Sequence, residues 1–268
     1  MKTLLVNADD FGFTRDVNSG IVEAHTRGIL TATTLMANGG AFDDAVRLAA
    51  SNPTLDVGCH LVLVGGSSIV SGRPFPRTVG RLLNAIVRRR LDPYAEFKAQ
   101  IEKILNAGLS PVHLDTHKHT HLFPPVLDAL ARLSREFGIR WIRRPFDFPR
   151  GPGRPPWSKR FVSSALSLVR RRLERVLREN GCRSTDHFAG FSVTGRFAAH
   201  DVVELIRTLP EGSTEFMVHP GHCTGELRAA PTRLKESRAA ELAALVAPEV
   251  RRALDEAGVV LSGYRALG

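Results

Sequence analysis

Short apolar runs alternate along this chain with longer amphipathic ones, and few folds accommodate that rhythm. A strand, a helix and a further strand in succession form a βα unit, and a series of such units builds a parallel sheet. Residues 4–7 predict a first strand, followed by a helix over about 16–27 with Gly28 as its stop. Further strands are expected at 31–37, 56–64, 112–115, 138–142, 214–218 and 259–262. The run 56–64 is nearly continuous in Val, Leu and Cys, as a strand covered on both faces should be. Helices are expected at 42–51, 97–107, 124–137 and 200–208, and over 233–257 with a break near Pro248.

With 268 residues the chain can bury one barrel-sized core or two smaller ones. It contains no internal repeat, low-complexity tract or clear boundary, so one domain spanning 1–268 is expected. Residues 64–78, with Pro74 and Pro76, read as a turn-rich loop that follows His60 and is suited to gripping a substrate. The proline-rich stretch 145–156 leads into a basic helical segment, so 145–182 reads as an insertion. Three cysteines, Cys59, Cys182 and Cys223, have neither zinc-ribbon nor disulfide-framework spacing. Together with an N-terminal apolar run too short for a signal-peptide core, they predict a cytoplasmic protein. No run of eighteen apolar residues occurs, so no spanning helix is expected.

The formal net charge is +10, concentrated in Arg88-Arg89-Arg90 and in 159–178. No RNA- or DNA-binding motif accompanies it, so no nucleic-acid partner is expected. Across 161–177 apolar residues recur at helical spacing in a strongly cationic background. That pattern predicts a peripheral contact with an anionic membrane, a barrel helix packed on the sheet, or a homodimer contact.

Chemistry concentrates in His113-Leu-Asp115-Thr-His117-Lys-His119-Thr-His121, where four histidines and a carboxylate fall within nine residues. Asp9-Asp10 and His60 answer it from elsewhere in the chain. Neutral imidazole and carboxylate are the usual ligands of a hydrolytic divalent metal, which needs about three of them and an open water position. In an extended segment, His117, His119 and His121 would project to one side. Asp9-Asp10, His60, His117, Arg143 and His219 each lie late in a predicted strand or just after it. Reactive groups of parallel α/β folds gather at the carboxyl ends of strands, so one face of the sheet should collect all of them.

Four motifs carry a resemblance. Asn7-Ala-Asp-Asp-Phe-Gly12, Gly58-Cys-His60-Leu, the 113–121 segment and Phe216-Met-Val-His219-Pro220 together resemble the YdjC-like carbohydrate deacetylases, the ChbG and HpnK group. The similarity runs from Leu4 to about Tyr264. It implies a single-domain α/β fold, a distorted TIM-like (β/α) barrel with catalytic residues at the C-terminal ends of its parallel strands. It also implies divalent-metal-dependent removal of acetyl groups from N-acetylglucosamine units of a chito-oligosaccharide or a glycosylated hopanoid lipid.

Carried over residue by residue, the resemblance makes Asp10, His60 and His117 the metal ligands and Asp9 the general base. His219 matches the general acid, and Arg143 matches the arginine that braces the base, with Arg144 as the alternative. Asp115 or another carboxylate is expected to orient the acid. His119 and His121 are expected to support the ligands or contact substrate, since ligand histidines need partners on their other nitrogen. Two imidazoles, one carboxylate and water suit zinc, while magnesium tolerates such a set but prefers oxygen. One Mg2+ or Zn2+ ion is therefore the expected cofactor. A metal-dependent phosphoesterase and a non-catalytic sugar-binding barrel are the competing readings.

Overall fold

The computed structural model describes residues 1–148 and 157–268, with side chains from 168 onward in the helix that begins at Trp157. In chain order the elements are β1 (Lys2–Phe11), α1 (Arg15–Arg27), β2 (Ala32–Leu35), α2 (Phe42–Ser51), β3 (Asp56–Leu61), α3 (Val79–Val87), α4 (Pro93–Asn106), β4 (His113–Thr116), a 3-10 segment (His117–Leu122), α5 (Pro124–Phe137), β5 (Trp141–Ile142), α6 (Trp157–Glu179), β6 (His187–Ala189), α7 (Ala199–Arg207), β7 (Gly212–Val218), α8 (Gly225–Ala229), α9 (Glu236–Leu245), α10 (Pro248–Glu256) and β8 (Val260–Leu261). A last 3-10 turn, Arg265–Leu267, follows.

Local chemistry fixes the helix ends. Thr14 caps α1 by accepting from the Val17 amide, and Asp92 caps α4 by accepting from the Tyr94 amide ahead of Pro93. Pro124 and Pro125 open α5, and Gly138 closes it in the left-handed conformation at φ 72°. The helix expected over 233–257 divides at Pro248, which opens α10 because proline tolerates only the first turn.

The described strands belong to one parallel sheet of order β5-β4-β3-β2-β1-β7-β6. β8 pairs with β1 at Thr3 and Leu4, below the point where β2 pairs with the same strand at Asn7, Ala8 and Phe11. Isolated parallel bridges, Trp141 to Arg183 and Asp147 to Phe188, draw the two outer strands toward each other. The sheet therefore curls into an incomplete barrel, the expected distorted α/β barrel. Leu4, Val6 and Ala8 of β1 are fully buried with Leu61 of β3 and Val218 of β7, which makes β1 the centre of the core.

Several expectations are corrected. β1 runs through Phe11, so Asp9 and Asp10 are part of the strand and not of a turn after it. α3 and β6 were not anticipated, and β6 has only three residues, too few for a legible period. The 113–121 segment is extended only to Thr116. It then turns into the 3-10 segment, with Lys118 and His119 left-handed at φ 55° and 49°. His117, His119 and His121 consequently do not share one side.

The proline-rich stretch falls outside the described residues from 149 to 156. In the described part of α6, Leu173, Val176 and Leu177 are buried, and Arg172 pairs with Asp128 of α5 at 3.1 Å. Arg170 pairs with Glu174 at 2.8 Å. This half of the basic segment is packed on the barrel, as one of its three readings expected. No helix among the described residues is long and apolar enough to cross a membrane.

Candidate functional site

Asp9 and Asp10 are neighbours in one strand, yet both turn into the barrel. Adjacent strand residues normally face opposite ways. The exception arises because Asp10 takes a left-handed conformation at φ 70°, and the β1–β2 register slips between Ala8 and Phe11. Such a conformation costs a residue other than glycine on the order of 1–3 kcal/mol and persists where its surroundings enforce it. The bend continues through Gly12 at φ 89°, whose amide donates to Asn18 Oδ1 at 2.6 Å.

Asp10 Oδ1, His60 Nε2 and His117 Nδ1 converge from β1, β3 and the start of the 3-10 segment. The carboxylate oxygen is 3.4 Å from each ring nitrogen, and the two nitrogens are 3.2 Å apart. Around a metal with bonds of about 2.1 Å, donor atoms lie about 3.4 Å apart in a tetrahedral arrangement. In an octahedral one they lie about 3.0 Å apart. The observed spacings fall in this interval, and Asp10 Oδ1 is a buried oxygen with no hydrogen-bond donor among the described residues. The three residues fit one divalent ion.

Their outer partners agree. His60 Nδ1 donates to Asp115 Oδ1 at 2.7 Å, so Nε2 is the ring nitrogen directed toward Asp10 and His117. Thr34 Oγ1 donates to the other oxygen of Asp115 at 3.2 Å. Burial opposes a charge on His60, but Asp115, Asp9 and Asp10 outweigh it and raise its pKa to about 10. Burial likewise opposes ionisation of Asp10, yet the Arg238 guanidinium, reinforced by His117 and His60, holds its carboxyl well below the usual range. Arg238 Nη2 donates to Asp10 Oδ2.

Arg143 is the hub of the neighbouring charges. Its Nη2 and Nη1 donate to the two oxygens of Asp9 at 2.7 and 2.8 Å, a bidentate grip. Its Nη1 also lies 2.6 Å from Asp115 Oδ2, and its Nε donates to Glu215 Oε1 at 2.6 Å. Burial would raise the pKa of Asp9, but Arg143, His60 and His219 hold it well below the carboxylate range. For Glu215 burial wins over the same arginine, and its pKa is raised. Asp9, His60 and Asp115 form a second cluster of potential ligand atoms. There Arg143 already occupies both carboxylates and supplies the balancing charge.

His219, at the end of β7, brings Nε2 to 3.9 Å from Asp9 Oδ2. Burial outweighs the nearby carboxylates and lowers its pKa to about 4, so its ring is neutral at pH 7. Its backbone amide donates to Glu241 Oε2 at 2.5 Å, and Gly195 donates to Glu241 Oε1 at 2.7 Å. Burial raises the pKa of Glu241 to about 7.

The sequence-predicted residues separate accordingly. Asp9, Asp10, His60, Asp115, His117, Arg143 and His219 meet at one end of the barrel. Asp115 or another carboxylate was expected to orient His219; Asp115 bonds His60, Arg143 and Thr34, and the carboxylates beside His219 are Asp9 and Glu241. Arg144 is turned away, with Nη1 donating to Glu174 at 2.8 Å. His121 accepts from Thr116 Oγ1 at 2.6 Å and donates to the Arg143 carbonyl at 3.1 Å, so it clamps the backbone of the hub. His119 is buried between His121, Phe188 and Phe191, and burial together with Arg143 keeps it neutral. Arg238 and Glu241 were missed. One turn apart on α9, they hold Asp10 and the His219 backbone, and the signal for them was two charges spaced i, i+3 in an otherwise apolar helix face.

Comparison with known proteins bears on this geometry. A model of the YdjC-like protein family matches residues 3–256. The chain belongs to the YdjC-like family. A carbohydrate deacetylase of Brevibacillus brevis is 32% identical over 273 residues, covering 99% of both sequences. A carbohydrate deacetylase of Geobacillus stearothermophilus is 32% identical over 269 residues, covering 97% of this chain and 96% of its own. Among solved structures, an Enterococcus faecalis protein named for cellobiose-phosphate cleavage superposes with a TM-score of 0.76 at 26% identity, over 100% of this chain and 99% of that one. A lactam utilization protein of Thermus thermophilus shares the fold, at TM-score 0.50 and 17% identity over 97% and 99% of the two chains. In this YdjC-like chain, all four motifs that carried the resemblance supply residues to the one site described above.

Proposed function

We propose that this YdjC-like protein is a divalent-metal-dependent N-deacetylase that removes acetyl from N-acetylglucosamine-type sugars. The observation that carries the reading is the convergence of Asp10 Oδ1, His60 Nε2 and His117 Nδ1 beside an ionised Asp9. Deacetylase relatives matched over nearly their whole length support it.

Asp10, His60 and His117 would hold the ion, Mg2+ or Zn2+. When bound, it supplies a Lewis acid that lowers the pKa of a coordinated water and polarises a carbonyl. Asp9 takes the proton of the attacking water. Its pairing with Arg143 makes it a weak base, so the proton is not kept. His219 starts neutral and must first receive the proton that it gives to the departing amine nitrogen. Its Nε2 lies 3.9 Å from Asp9 Oδ2, which supports a relay from the one to the other. Arg143 restores the Asp9 carboxylate by favouring its charged form. The substrate is a chito-oligosaccharide or a glycosylated hopanoid lipid, and the loop that follows His60 is suited to selecting it.

Acetate release from N,N'-diacetylchitobiose tests the reading. It should require Mg2+ or Zn2+, stop with chelator and be lost in Asp10→Asn and Asp9→Asn. Hydrolysis of phosphate esters with no acetate from any N-acetylated sugar would overturn it in favour of a phosphoesterase.

A further inference from the structure

A cavity of about 580 Å³ lies beyond the carboxyl end of β3, lined by none of the site residues above. Arg73, Arg77, Arg81 and Arg90 line it, together with Asp92 and Glu96. None of the four arginines forms an ion pair among the described residues. The two acids are committed elsewhere. Asp92 accepts from the Tyr94 amide, and Glu96 accepts from Ser68 Oγ at 2.6 Å and from the Ile69 amide at 2.9 Å. Four arginines thus line one concavity against two acids, and the neutral donors leave the acids' charges in place, so the lining keeps a formal excess of positive charge.

The cavity is held in shape. Glu96 is buried and ties down the loop over 68–70, while Phe75 and Leu82 are buried beside it. It also lies on the barrel rim that carries the candidate site. Two residues after His60, the Val62 amide donates to Gln100 Oε1 at 2.8 Å. Gln100 in turn donates to Glu96 Oε1 at 3.1 Å. A guanidinium presents a fork of donors matched to phosphate oxygens, and several around one cavity favour a multiply charged anion. We propose that this cavity is a binding site for a phosphate-bearing anion, separate from the metal ligands. The proposal stands whether or not the chain is a deacetylase.

Calorimetric titration of the full chain with pyrophosphate tests it, using wild type, the double variant R77A/R81A and a control double variant, R171A/R175A, on α6. All four substituted arginines are exposed, so the variants should fold. The expected result is saturable binding to wild type and control, weakened by about tenfold or more in R77A/R81A. Absence of binding to wild type would overturn the proposal. So would equal affinity in R77A/R81A, which would place the anion elsewhere, and so would an equal loss in the α6 control, which would reduce the effect to general charge.

Discussion

Arg143 reaches across 134 residues of sequence to grip both oxygens of Asp9, at 2.7 and 2.8 Å. The same guanidinium lies 2.6 Å from Asp115 and from Glu215, so one fully buried cation serves three buried acids. Arg143→Ala should destabilise the protein by about 3–5 kcal/mol, because the acids would be left in the interior without their counter-charge. Urea unfolding at pH 7 measures this. A loss below about 1 kcal/mol would show that the hub contributes little to folding.

Asp115 touches the candidate metal ligands only through His60. Asp115→Asn should retain the fold yet weaken Zn2+ or Mg2+ binding by about 10–100-fold, since the imidazole loses the carboxylate that orients it. His117→Ala removes a candidate ligand that is 26% exposed, so metal affinity should fall while thermal stability in chelator changes little. Isothermal titration and a thermal melt with chelator separate the two effects. Unaltered affinity in both variants would remove the metal from this cluster.

Glu241 gives stability a pH dependence of defined sign. Its ordinary pKa of 4.5 rises on folding to about 7, because burial disfavours the carboxylate more than the two backbone amides favour it. A raised folded-state pKa contributes stability that is complete below 4.5 and is lost as pH climbs through 7. Relative to Glu241→Gln, wild type should lose up to about 3 kcal/mol across that window. Parallel stability curves of the two proteins between pH 4.5 and 8 would refute the assignment.

Gly58 stands where no side chain fits. A Cβ there would lie 2.5 Å from the His113 ring and 2.6 Å from the His113 carbonyl, which belongs to the adjoining strand. Gly58→Ala should lower stability by at least about 1–3 kcal/mol, the usual range for an overfilled interior. A melting temperature equal to wild type would mean that β3 and β4 can part without loss.

Much of the fold was legible because long helices and apolar strands announce their periods. α2 and α5 fall on the expected residues, and α9 and α10 divide where Pro248 requires. Asp9, Asp10, His60 and His219 could be read as strand-end groups because β1, β3 and β7 have strong apolar patterns. The histidine segment was misread, since two left-handed residues in succession, Lys118 and His119, leave no mark in hydrophobic periodicity. Arg238 and Glu241 escaped for another reason. Charges on a helix are ordinarily solvated, and only tertiary packing turned this pair inward.

The curled sheet is fastened unevenly. β1 and β7 match over seven residue pairs, whereas among the described residues the edges of β5 and β6 are joined through single bridges at Arg183 and Asp147. Thermal breathing should therefore begin along that weak seam, with the amides of Ile142, Phe148 and Arg183 exchanging with deuterium sooner than those of Leu5 or Phe216. Arg143 follows Ile142 directly, so the most easily unzipped margin of the wall is also the one that carries the grip on Asp9.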